Sequence, residues 1–112
     1  MKFYGELYVG ESLKARQVNV IEKLKAGKVQ FRCYLIVLSN NPTNQLECYD
    51  SVLLLQKKWM EEPMLVVGVA SCYAEALELI KRITEDTYLH YGDADLRRYI
   101  LETQQEFQES KV

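Results

Sequence analysis

Between Met64 and Ile83 the hydrophobic rhythm of the chain changes once. Met64-Leu65-Val66-Val67-Gly68-Val69-Ala70 is an unbroken apolar run, whereas beyond Ser71 the apolar positions Ala76, Leu79, Ile80 and Ile83 recur at helical spacing. A short continuous run suits a strand covered on both faces, and the second pattern suits an amphipathic helix. The stretch therefore predicts a β-strand feeding an α-helix, the first half of an α/β unit. The helix is expected from Cys72 to about Tyr91, with Tyr73, Leu77 and Tyr88 extending or flanking its buried face and Gly92 ending it.

The same reasoning carried along the chain predicts the remaining elements. In Met1 to Gly10, Phe3, Tyr4, Leu7 and Tyr8 have the spacing of a short helix that Gly10 ends; a strand with Phe3, Gly5, Leu7 and Val9 on one side is the competing reading. Leu13, Val20, Ile21 and Leu24 form an apolar stripe from Leu13 to about Ala26, with Ser12 at the N-cap position and Gly27 at the stop. Val29 to Leu38 is rich in β-branched and aromatic residues and reads as a strand that becomes central as it proceeds. After the loop Ser39 to Asn44, Leu46 to Asp50 alternates as a strand returning in a hairpin, and Asp50 or Ser51 caps a short helix through Gln56 to Met60 that Pro63 terminates. One helix from Leu46 to Trp59 is the alternative. Asp93 or Asp95 caps a last short helix, Leu96 to Leu101, docking through Tyr99 and Ile100, and the polar residues 102–112 are expected to fray.

Together these predict one α/β domain over residues 1–101 followed by a polar tail. Its three-stranded mixed sheet (Val29–Leu38, Leu46–Asp50, Met64–Ala70) is packed by the Leu13 and Cys72 helices, with short helices at the two termini.

Composition narrows the function classes. A chain of 112 residues with 48% hydrophobic and 27% charged positions can bury a core of its own, so it is globular rather than disordered. A net charge of −2, with Lys and Arg interspersed among Glu and Asp, lacks the concentrated basic face that binds nucleic acid. The longest apolar runs, Cys33 to Leu38 and Met64 to Ala70, are far shorter than the ~20 residues that cross a bilayer. The N-terminal MKFYGELYVG has no signal-peptide pattern, and three cysteines cannot all pair internally. The expectation is a cytoplasmic protein with free thiols, no cofactor and no metal.

The strings LYVGES (Leu7 to Ser12), LECYD (Leu46 to Asp50) and VVGVASCYAEALELIKRI (Val66 to Ile83) resemble a small family of uncharacterised bacterial proteins of about this length, clostridial in type. The resemblance spans most of the chain. It implies no activity, so no functional residue is carried over from it.

Few residues invite chemistry. The turn Gly68 to Tyr73 places a helix N-terminus after a strand, where free N–H groups and the helix dipole favour anions. Gly68, Ser71, Cys72 and Tyr73 are the ligand-binding candidates, although one glycine without a following lysine is no phosphate loop. The plain reading is that Ser71 caps the helix and Gly68 permits close packing. Cys72, in the first turn, could have an activated thiol, but it lacks a second cysteine at redox spacing and is several turns from the sole histidine, His90. Cys33 and Cys48 read as core filler. His90 has no ligand-spaced companions, and Asp86, Asp93 and Asp95 lack the pattern of a calcium loop, so capping and solvation explain them.

Eight tyrosines and one tryptophan are more than a core of this size needs, which makes Tyr4, Tyr8, Tyr49, Trp59 and Tyr99 interface candidates. A small sheet also has two edges to cover, by its own helices or by a second copy. The leading expectation is a non-enzymatic interaction or regulatory module that forms a homodimer. The alternative is a small-ligand or anion binder using Gly68 to Tyr73, with a thiol-redox role for Cys72 third.

Overall fold

The apolar run that ends at Ala70 becomes an inner strand, and the rest of the sheet is assembled on its two edges. The computed structural model describes residues 2–26, 33–38, 45–52 and 65–109. In chain order these form β1 (Lys2–Val9), a 3-10 helix (Glu11–Arg16), α1 (Gln17–Lys25), β2 (Tyr34–Leu38), β3 (Leu46–Asp50), β4 (Leu65–Ala70), α2 (Tyr73–Tyr91) and α3 (Leu96–Glu109). The mixed sheet runs β1-β4-β2-β3: β1 is parallel to β4, while β2 is antiparallel to both β4 and β3.

Helices cover both faces, which is why β4 is apolar without interruption. On one face Val66 and Val69 join Leu35 and Val37 against Leu13, Val20 and Leu24 of the 3-10 helix and α1. On the other, Val67 and Ala70 join Ile36 and Leu38 against Ala76, Leu79 and Ile83 of α2 and Leu96, Tyr99 and Ile100 of α3. Strict alternation would put Val66 and Ala70 on the same face. A bulge prevents this: Ile36 pairs with Gly68 but Val37 with Val66, so two residues of β4 are accommodated in one step of β2. Gly68 sits at that step because a Cβ would meet Ile36 Cδ1 at 3.1 Å and the Tyr8 carbonyl oxygen at 3.3 Å.

Several expectations hold. β3 returns antiparallel to β2 as a hairpin partner, pairing Tyr34 with Asp50 through Leu38 with Leu46. Gly92 ends α2 in the left-handed region at φ 74°, its N–H bonded to the Tyr88 carbonyl. The start of that helix is corrected: the N-cap is Cys72 rather than Ser71, whose hydroxyl is engaged with Ser12 and Glu75, and the helix begins at Tyr73. Asp95 caps α3 by accepting the Arg98 N–H at 3.2 Å, and Asp93 accepts the N–H of Asp95.

The N-terminal segment is corrected: β1 is a strand and makes the sheet four-stranded rather than three. Phe3, Leu7 and Val9 face the α1 side and Tyr4 and Tyr8 the α2–α3 side. The apolar spacing of this segment satisfies both periods, and the open edge of β4 decides between them. The first helix is also corrected. Its opening turn is a 3-10 helix that Ser12 does not cap, because Gly10 is tied to β4 through its N–H to the Val69 carbonyl and the Ser12 hydroxyl is turned toward α2.

Residues 102–109, expected to fray, continue α3. Thr103, Gln104 and Phe107 prolong the face begun by Leu96, Tyr99 and Ile100 and dock on β1: the Tyr4 hydroxyl is 2.5 Å from Thr103 Oγ1, and the Gly5 N–H donates to Gln104 Oε1 at 2.7 Å. The stop at Gly27, the first half of the Val29 strand, the Asn-Pro loop and the helix through Gln56 to Met60 lie outside the described residues. No described helix is long and apolar enough to cross a membrane.

Candidate functional site

β1 and β4 are parallel neighbours, yet the chain leaves them in opposite directions. After β1 it passes to the α1 face, and after β4 to the α2 face. The divergence opens a crevice beyond the carboxyl ends of the two strands, the place where open α/β sheets receive ligands.

The first layer of this crevice is a hydrogen-bonded pin. Ser12 Oγ is 2.7 Å from Ser71 Oγ and 2.9 Å from both oxygens of Glu75, while the Ser71 N–H donates to Glu75 Oε1 at 2.9 Å. Glu75 occupies the third position of α2 and reaches back past the cap, the acidic half of a capping box. Desolvation raises its pKa, but the Ser71 N–H and the two serine hydroxyls outweigh that and hold the carboxyl below its ordinary value. The helix N-terminus thus already carries an anion from its own chain.

Beside the pin lies a groove of about 680 Å³ lined by Ser12, Arg16, Tyr34, Asp50, Ser71 and Cys72. Four elements or turns contribute. Arg16 ends the 3-10 helix; Tyr34 and Asp50 are cross-strand partners at the mouth of the β2–β3 hairpin; Ser71 and Cys72 form the turn into α2. One side chain is cationic and one anionic, with four further groups offering hydroxyls or a thiol. Asp50 Oδ1 also accepts the Val52 N–H at 3.0 Å, which fixes the carboxylate at the hairpin end.

No protein-family model, curated protein or solved structure matches the chain.

Function must therefore be read from these side chains. Of the four ligand-binding candidates, the structure brings Ser71 and Cys72 into the groove. Tyr73 stands beside it, more than half exposed, with its ring edge-on to Tyr34 at 6.3 Å; Gly68 lies within the sheet and does not line this groove. Ser12, Arg16, Tyr34 and Asp50 are the residues that sequence reasoning missed. The hairpin pairing carries a signal for Tyr34 and Asp50, which it sets side by side; none marks Arg16 or Ser12.

The cysteines occupy three environments. Cys72 is exposed, Cys48 is half-buried with its thiol pKa raised by desolvation, and Cys33 is buried. Burial first, then the charge of Asp50, pushes the Cys33 thiol up to about 11. His90 stands at the far end of α2, about 27 Å along the axis from Cys72 at the usual rise per residue. It joins an aromatic cluster with Tyr91 and Tyr99, in which the Arg98 guanidinium lies 3.9 Å over the Tyr91 ring and the Tyr91 hydroxyl donates to Glu102. Among the described residues no three His, Cys, Asp or Glu side chains are grouped to hold a metal ion.

The interface candidates are divided. Tyr4 and Tyr99 are core residues, 2% and 9% exposed, and Tyr8 and Tyr49 are half-buried. Trp59 lies outside the described residues. Large exposed apolar side chains occur elsewhere, among them Tyr73 and Leu77 one turn apart on α2 and Tyr88 three turns further along the same flank.

Proposed function

We propose that this protein binds a small polar molecule in the groove at the carboxyl ends of β1 and β4. The observation that carries the reading is the convergence of Ser12, Arg16, Tyr34, Asp50, Ser71 and Cys72 from separate parts of the chain at the point where the topology diverges. Arg16 suits a carboxylate or phosphate on the ligand, and Asp50 with the two serines suits hydroxyl or amino groups. A bare inorganic anion seated on the α2 terminus is disfavoured, because Glu75 already takes the Ser71 N–H there.

A thermal-shift screen with amino acids, hydroxy acids and sugar phosphates tests this. A ligand present at a hundredfold excess over its Kd adds about 2.7 kcal/mol to stability. The shift should vanish in Arg16→Ala, and a panel that moves no melting temperature would sink the reading.

A second reading, self-association, is favoured by the apolar flank Tyr73, Leu77 and Tyr88 on α2. Sedimentation of the wild type against Leu77→Glu decides it: a dimer that dissociates in the variant supports it, and a wild-type monomer at high concentration counts against it.

A further inference from the structure

The outer edge of β1 is closed by a side chain. The Phe3 C=O and the Gly5 N–H both point away from β4. Gln104 of α3 accepts from the Gly5 N–H at 2.7 Å, and its own NH₂ reaches the Phe3 carbonyl at 3.5 Å. A primary amide donating and accepting in this way takes the place of a peptide group in a neighbouring strand. Gly5 has no side chain because the Phe107 ring lies against it, where a Cβ would overlap the ring. Beyond Gln104 a groove of about 520 Å³ continues along Gly5 to Leu7, between Gln17, Ile21 and Lys25 of α1 and Phe107 of α3. The buried anchors of α3, Leu96, Tyr99 and Ile100, all belong to its first half, and Thr103, Gln104 and Phe107 hold the second half on β1.

We propose that the outer edge of β1 is a strand-pairing surface for a second copy of this chain, kept shut by the second half of α3 acting as a strap. The argument for a second copy is self-complementarity. Antiparallel pairing of two β1 strands about a twofold axis at Tyr4 sets Phe3 of each copy opposite Gly5 of the other. Each Gly5 N–H then meets the Phe3 carbonyl of the other copy, so the two groups that Gln104 now satisfies satisfy one another. The same register places Lys2 opposite Glu6 of the second copy, twice over, and both are exposed residues of β1. This surface is separate from the α2 flank and independent of the ligand groove.

The test uses the full-length Gln104→Leu/Phe107→Ala variant, compared with the wild type by sedimentation and by amide exchange at Gly5. The expected result is a species of twice the wild-type mass, whatever the wild-type mass is. Adding Glu6→Lys, which sets like charges opposite one another, should return it to the wild-type mass. Adding Lys2→Glu together with Glu6→Lys should restore the doubled species. A variant that keeps the wild-type mass while its Gly5 amide exchanges at least about tenfold faster overturns the proposal, because the edge is then open and unpaired. A doubled mass that Glu6→Lys leaves unchanged overturns it too, by locating the association elsewhere. Should the double variant fail to fold, Gln104→Leu alone, which keeps the Phe107 packing, must double the mass at high concentration; if it does not, the proposal fails.

Discussion

Tyr8 and Asp86 are 78 residues apart, and the Tyr8 hydroxyl donates to Asp86 Oδ2 at 2.5 Å. The bond ties the edge strand β1 to the second half of α2, and the Tyr8 ring also stacks on that of Tyr4. Burial, with the Asp86 and Tyr99 bonds adding to it, raises the Tyr8 pKa far above the ordinary tyrosine value. Removing the hydroxyl in Tyr8→Phe leaves a half-buried carboxylate without this donor, at a cost of about 1–3 kcal/mol in urea unfolding. Equal stability of Tyr8→Phe and wild type would show that Asp86 is satisfied by water.

Alkaline pH probes the same pair of rings. Desolvation also raises Tyr4, to about 12. Both groups have folded pKa values above the unfolded value of about 10, so their neutral forms contribute fully below pH ~10 and the contribution fades as pH rises through the folded values. Stability should stay level up to pH ~9.5 and decline steadily above it. The decline should be shallower in Tyr4→Phe and Tyr8→Phe than in the wild type, as followed by denaturant midpoints.

Glu75 gives the opposite sign. Its folded pKa lies below the unfolded value of about 4.3, so the pin to Ser12 and Ser71 contributes above that pH and is lost as pH falls through it. Glu75→Ala should cost about 1 kcal/mol at pH 7, the usual worth of a helix cap, and nearly nothing at pH 2. A pH-independent penalty would mean that the carboxylate charge does not matter.

What was legible in the sequence follows from where the information sits. β4, α2 and the β3 hairpin were readable because their periodicity and end signals are local: an apolar run, a helical stripe, and a left-handed stop at Gly92. β1 was not, since Phe3, Tyr4, Leu7 and Tyr8 satisfy two periods and only a neighbouring strand chooses between them. The second half of α3 was missed because its docking side chains, Thr103 and Gln104, are polar and pair with a strand about a hundred residues away. At the candidate site, Ser71 and Cys72 were found from the strand-to-helix turn. Arg16 and Ser12 reach the groove only through the parallel pairing of β1 with β4, which local patterning does not encode.

The three thiols should react in order of access. Cys72 is exposed at the cap of α2, Cys48 is half-buried on β3, and Cys33 is enclosed with its pKa pushed up to about 11. A thiol reagent at pH 8 should modify Cys72 first, Cys48 more slowly and Cys33 only on the timescale of unfolding, because the reactive species is the thiolate. A ligand bound in the groove would slow Cys72 alone, since of the three only Cys72 lines it. Mass mapping of the modified peptides with and without the stabilising compound therefore locates binding as well as detecting it. Undiminished Cys72 reactivity at a concentration that raises the melting temperature would place the ligand elsewhere on the molecule.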